Sequence, residues 1–150
     1  MSAVLREKDN GWGALKKRLL GARGHVAIGV LGSAAAAPHG ATTLYDVAAA
    51  NEFGTSRIDE RSFLRATLDI NRAKVVAFCK KQAALVVRGD ITNDVALEKI
   101  GLFVQGLIQE RIATGIPPKN ADSTIRAKGS NKPLIDSGQL RGSISYEVRQ

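Results

Sequence analysis

A chain of 150 residues is long enough to bury one substantial core and too short for two independent ones. With 44% hydrophobic and 24% charged residues its composition is that of a globular domain, and aromatics at 5% leave aliphatic and alanine packing to fill the core. The formal charge of +8 asks for an anionic neighbour (nucleic acid, a membrane surface or an acidic protein), while a single cysteine excludes an internal disulfide framework and a cysteine-rich zinc site.

Residues 1–10 are charged where a signal peptide needs an apolar run, and are expected to be loosely ordered. No apolar stretch reaches membrane-spanning length, so the expected setting is a cytoplasm, without membrane contact. Trp12, Leu15, Leu19 and Leu20 recur at helical spacing beside Lys16, Lys17 and Arg18, which predicts a short basic amphipathic helix stopped by Gly21 and Gly24. Such a helix suits docking on a partner. From His25 to Leu31 apolar and less apolar residues alternate, as in a half-buried strand. Residues 32–41, rich in Ala, Gly and Pro without period, predict a mobile connection.

Thr43 and Asp46 have capping-box spacing, with Asp in place of the usual Glu or Gln, and open an Ala-rich helix to Phe53. Gly54 stands where a left-handed residue closes a helix at low cost. A long helix is then predicted over 62–88, with Leu64, Leu68, Val75, Phe78, Cys79, Leu85 and Val86 in one stripe and a band of small residues, Ala66, Ala73, Ala77 and Ala84, beside it. Cys79 reads as a small buried hydrophobe. Gly89-Asp90 ends this helix, and a second follows over 93–114, carrying Ala96, Leu97, Ile100, Phe103, Val104 and Leu107 on one side. The short turn between them makes the two antiparallel neighbours. Residues 116–132 are polar, basic and turn-rich, with one helical turn expected near 123–128, and are expected to be flexible. A tight turn at 136–140 leads into a final strand through Ile144, Tyr146 and Val148. The class is therefore α+β: one domain over 1–150, a small antiparallel sheet packed against two long antiparallel helices, with a short N-terminal helix.

Chemistry is sparse. Glycine-rich phosphate-loop and dinucleotide-binding patterns are absent. With only His25 and His39 in the chain, neither a metal site nor a histidine-based catalytic group is expected, and Ser137 and Ser143 have no histidine nearby in sequence. Carboxylate pairs such as Asp59/Glu60 and Asp90/Asp94 fall at turns and helix starts, where the helix dipole favours negative charge. The reading is of a protein that is not an enzyme, without cofactor or metal. Two basic clusters, Lys16 to Arg23 and Arg126 to Lys132, lack interleaved aromatics, so any DNA contact would be with phosphates and blind to sequence.

Two stretches carry a resemblance. Ala48 to Thr55, ending in Glu52-Phe53-Gly54-Thr55, is followed by Arg61, Phe63 and Leu64 at the entry to the long helix; Pro133-Leu134-Ile135-Asp136-Ser137-Gly138-Gln139-Leu140 then precedes the last strand. In these motifs, their order and the helix pair between them, about two-thirds of the chain resembles the tail-completion or head–tail joining (neck) proteins of tailed bacteriophages; virion-morphogenesis proteins of Mu-like phages look similar over the second motif. The chain departs from that pattern in carrying Asp59, Glu60 and Ser62 where the family often has proline just before and again after the arginine. The resemblance implies a non-enzymatic structural virion protein forming a homo-oligomeric ring, usually of six copies, at the neck or top of the tail, assembled in the bacterial cytoplasm and contacting other neck and tail proteins. Two alternatives stand beside it: a tail terminator capping the tail tube, and a basic DNA-binding accessory protein.

The residues of 48–64 suggest a structural role of their own. Glu52, Arg57 and Arg61 are expected to form a fixed charged turn that sets the angle of the long helix, with Phe53 and Phe63 anchoring it on both sides.

Overall fold

The computed structural model describes residues 10–120, 125–126, 134 and 138–150. The predicted basic helix is α1 (Trp12–Gly21), and the alternating run after it is strand β1 (His25–Val30). Residues 32–41 are more regular than expected. They hold one turn of helix, α2 (Gly32–Ala35), and strand β2 (Pro38–His39), which pairs antiparallel with β3 (Thr42–Thr43). Alanine enters a helical turn with no side-chain entropy to lose, and the Ala37 carbonyl accepts from Leu44 N–H at 2.9 Å to close the hairpin.

Helix α3 (Leu44–Phe53) begins at the expected capping box. Asp46 N–H donates to Thr43 Oγ1 at 3.2 Å, and Thr43 N–H donates back to the Asp46 carboxylate at 3.1 Å. These hydroxyl and amide donors hold the Asp46 carboxyl below its ordinary range.

The helix expected over 62–88 is two helices, α4 (Arg65–Ile70) and α5 (Arg72–Arg88), interrupted at Asn71. Polar side chains there bond main-chain carbonyls of the preceding turn: Thr67 Oγ1 reaches Phe63 O at 2.5 Å and Asn71 Nδ2 reaches Thr67 O at 2.9 Å. Leu68, placed in the apolar stripe by its spacing, is exposed, and Gln82 lies buried on the inner face of α5 with no hydrogen-bond partner for Oε1 among the described residues. Cys79 is half-buried.

Helix α6 (Asn93–Thr114) runs unbroken from its cap at Thr92, whose hydroxyl accepts from Val95 N–H at 3.3 Å. After it, Ile116 is buried in the core, so the segment 116–132 begins as packed structure. Of the helical turn expected near 123–128, only 125–126 are described, and they are helical. The described end of the turn expected at 136–140 opens a short helix instead, α7 (Gln139–Ser143), with left-handed Gly138 before it. The last strand is β4 (Ile144–Arg149). It pairs antiparallel with β1, His25 opposite Arg149 and Val30 opposite Ile144, joining the two ends of the described chain.

The molecule is thus α+β with a small antiparallel sheet. Helix α6 is its centre, touching β1 and β4 as well as α4, α5 and α7. It comes close to the sheet at Gly101, where a Cβ would overlap the Tyr146 ring. On the side of α5, Phe78 and Phe103 stack with centroids 4.2 Å apart. The core gathers Leu44 and Ala48 of α3, Phe63, Val104, Ile108 and Ile112 of α6, Ile116, Leu140 and Ile144.

Candidate functional site

The charged turn expected from the sequence is a junction between the end of α3 and the start of α4. Glu52, in the last turn of α3, is only 3% exposed. Its Oε2 accepts from the Phe63 and Leu64 N–H groups, each at 2.8 Å. Its Oε1 accepts from Arg65 N–H at 3.0 Å, the Ser62 hydroxyl at 2.8 Å and Arg65 Nε at 3.1 Å. A helix start leaves amides unpaired and carries partial positive charge. The N-cap residue of α4, Leu64, supplies no side-chain cap, so a carboxylate from the preceding helix does that work. Ser62 relays the arrangement one residue further, accepting from Ala66 N–H at 3.1 Å while donating to Glu52. Burial alone would raise the Glu52 pKa. The Leu64 and Arg65 amides, the Ser62 hydroxyl and the Arg65 guanidinium outweigh it and hold the carboxyl below its ordinary value.

Arg65 closes the other side of the junction. Its Nη2 donates to the main-chain carbonyl of Glu52 and to the Glu60 carboxylate, both at 2.8 Å, and the guanidinium lies 4.7 Å from the Phe53 ring centroid. Arg61 turns the opposite way and is buried. Its N–H donates to Asn51 O at 2.6 Å, and its guanidinium donates to Pro118 O at 2.9 Å and Lys119 O at 3.2 Å, so main-chain carbonyls take the place of a carboxylate partner. From the end of α6, Arg111 Nε reaches Ser62 O at 3.3 Å. Four segments are fastened at one place: α3, the 61–65 entry, the C-terminal turn of α6 and residues 118–119.

Three expectations need correction. Phe53 is 65% exposed and anchors nothing in the core; with Tyr45 it lines an apolar groove of 280 Å³ between β1 and α3. A residue beside Glu52 on a helix points about 100° away from it, so burying one exposes the other. Arg57 is exposed, and only its N–H takes part in the turn, donating to Thr55 Oγ1 at 3.2 Å. Gly54 has the positive φ expected, 72°, but with ψ of 169° it is extended and not the left-handed helical closure. It sends the chain outward into a loop closed by Thr55 N–H to Ile58 O at 2.8 Å. Phe63 meets expectation, fully buried, with Leu64 packed against the same core.

Of the second stretch, Pro133, Asp136 and Ser137 lie outside the described residues. Leu134 packs against the core, Leu140 belongs to it, and Gly138, at φ 78°, sits at the start of α7. Gln139 joins α7 to the small hairpin, donating to Pro38 O at 3.3 Å with Oε1 2.9 Å from His39 Nδ1. The two stretches therefore meet through Phe63, Leu64, Leu134 and Leu140 in one core.

What the junction can do chemically follows from its saturation. Five donors converge on a carboxylate that offers about four lone-pair sites, which leaves nothing for a substrate to use. Among the described residues no group of three His, Cys, Asp or Glu side chains could hold a metal ion, and no helix is long and apolar enough to cross a membrane. No family model, curated protein or solved structure matches the chain.

Proposed function

We propose that this chain is a non-enzymatic structural protein of a tailed phage particle, one that forms a ring at the head–tail interface and joins or completes the tail. The reading rests on the two sequence stretches at 48–64 and 133–140, separated by the helical segments as in neck and tail-completion proteins. One observation supports it most. The residues of those stretches are spent on fastening, Glu52 and Arg61 on main-chain groups and Phe63 and Leu140 on the core, as suits a subunit whose work is to hold a shape.

On this reading α4–α5 and α6 form a pair of long antiparallel helices against the sheet, and copies meet head to tail in a closed ring, six being the expected number. Exposed apolar residues on several elements, among them Leu68, Ile70 and Leu102, suit a subunit that buries more surface on assembly than it does alone. A terminator at the top of the tail tube would use the same subunit and differ only in its neighbour.

Sedimentation velocity of the full chain over a range of concentrations tests the assembly. Six copies of a 16.0 kDa chain give a closed species near ~96 kDa that does not grow further with concentration. A monomer throughout, or an open series of ever larger species, contradicts a ring.

A further inference from the structure

Among the described residues, two touching helices carry charge of one sign. Helix α1 carries Lys16, Lys17 and Arg18, helix α5 carries Arg72, Lys74, Lys80, Lys81 and Arg88, and neither contains an acidic residue. The two helices touch, and all eight cations are exposed. Without these eight the chain keeps 14 Lys and Arg against 14 Asp and Glu, so the whole excess of +8 belongs to this pair. The acids nearest in sequence are Asp9 before α1, Asp69 before α5 and Asp90 after it, the last paired with Arg88 at 2.8 Å. Asp90 and Asp94 also share a cleft with Lys17 and Arg18 below α1.

Between these cations α5 turns an apolar face outward. Ala73, Val76, Ala77, Ala83, Ala84 and Val87 are exposed at alternating three- and four-residue spacings, with Lys80 at the middle of the run. The stripe is about 21 Å long at the standard helical rise. It lies opposite Phe78, which stacks on Phe103 of α6, and opposite the buried Gln82 and Val86, the latter lining the cleft beside α1. On α1, Trp12, Leu19 and Leu20 are also exposed.

We infer that the outer face of α5 is a docking surface for an acid-flanked amphipathic helix of a different protein. Charge and apolarity together select this occupant. DNA would answer the lysines but leave the valines and alanines wet, because phosphates offer no apolar surface. A second copy could offer the outer face of α6, but it is a poorer match: Lys99 stands among Asp94, Glu98 and Glu110, Glu98 already accepts from the Tyr146 hydroxyl at 2.7 Å, and Asp94 accepts from Gln150 at 3.2 Å. An apolar stripe edged by carboxylates satisfies both features at once, and the alanines let its backbone come close. The inference does not depend on ring formation.

The test uses the full chain and fluorescence anisotropy with a labelled, designed peptide of about three heptads, leucine and alanine at a and d and glutamate at e and g. A peptide of the same residues in scrambled order, a mixed-sequence DNA duplex and phosphatidylglycerol vesicles serve as competitors. The patterned peptide is expected to bind about tenfold or more tightly than the scrambled one, and neither DNA nor vesicles should displace it at equal charge. Lys80→Glu with Lys81→Glu should weaken it about tenfold, and Val76→Asn, which leaves charge unchanged, about fivefold. These positions are exposed, so circular dichroism should show the fold intact. Equal binding of the scrambled peptide, indifference to Val76→Asn, displacement by DNA or vesicles, or no binding by the patterned peptide would each overturn the inference.

Discussion

A buried carboxylate costs several kcal/mol to desolvate, and at Glu52 that cost is offset by hydrogen bonds from three main-chain amides, one hydroxyl and one guanidinium. Glu52→Gln preserves the shape but turns an NH₂ group toward amides that also donate. It should cost about 2–3 kcal/mol, read as a lower urea midpoint at unchanged slope. The pH dependence has a definite sign. Because the folded carboxyl sits below its ordinary value of 4.5, its contribution is complete above that pH and is lost as pH falls through the folded value. Urea midpoints measured through the acid range should therefore fall more steeply for the native chain than for Glu52→Gln; parallel curves would show that Glu52 is not a linked group. Gly54 makes a separate demand. Its φ of 72° with ψ of 169° belongs to a region open essentially to glycine alone, and a Cβ there would stand 3.1 Å from Glu60 N. Gly54→Val should cost about 1–3 kcal/mol, and a variant with the native urea midpoint would show that the junction does not need this conformation.

At the scale of elements, α6 carries two glycines that look alike in sequence and differ in surroundings. Gly101 is buried under the Tyr146 ring, whose hydroxyl donates to Glu98 at 2.7 Å, whereas nothing lies within 4 Å of a Cβ built at the exposed Gly106. Gly101→Ala should destabilise by about 1–3 kcal/mol through overpacking. Gly106→Ala should stabilise by about 0.5–1 kcal/mol by removing backbone freedom from a helix interior. Thermal unfolding of the two variants side by side checks both signs, and equal shifts would mean α6 does not press on β4 at Gly101. The elements themselves were largely legible, because β1, α3, α6 and β4 follow periodicity or cap spacing confined to neighbouring residues. The break at Asn71 was not, since the apolar spacing continues through it and only side-chain bonds from Thr67 and Asn71 disturb the helix. The junction was half legible for a similar reason. Glu52, Arg61 and Phe63 stand out as a polar turn beside an apolar run, but the roles of Ser62 and Arg65 depend on contacts across 10 and 13 residues, which no local pattern encodes.

For the whole molecule, the sheet made from β1 and β4 closes the described chain on itself, and α6 carries both that sheet and the outer helices. The 48–64 and 133–140 stretches are far apart in sequence and share a core, so the junction and the C-terminal α7–β4 segment are held together. The proposed ring at the meeting point of head and tail would draw on such a unit, since each copy must present the same faces to its neighbours. Cryo-electron microscopy of intact particles carrying this protein with a small C-terminal tag, decorated with a tag-specific fragment, locates it. The ring reading expects the label in a single closed ring at the head–tail interface. Label along the tail shaft or over the capsid, or particles with no label at all, would contradict it.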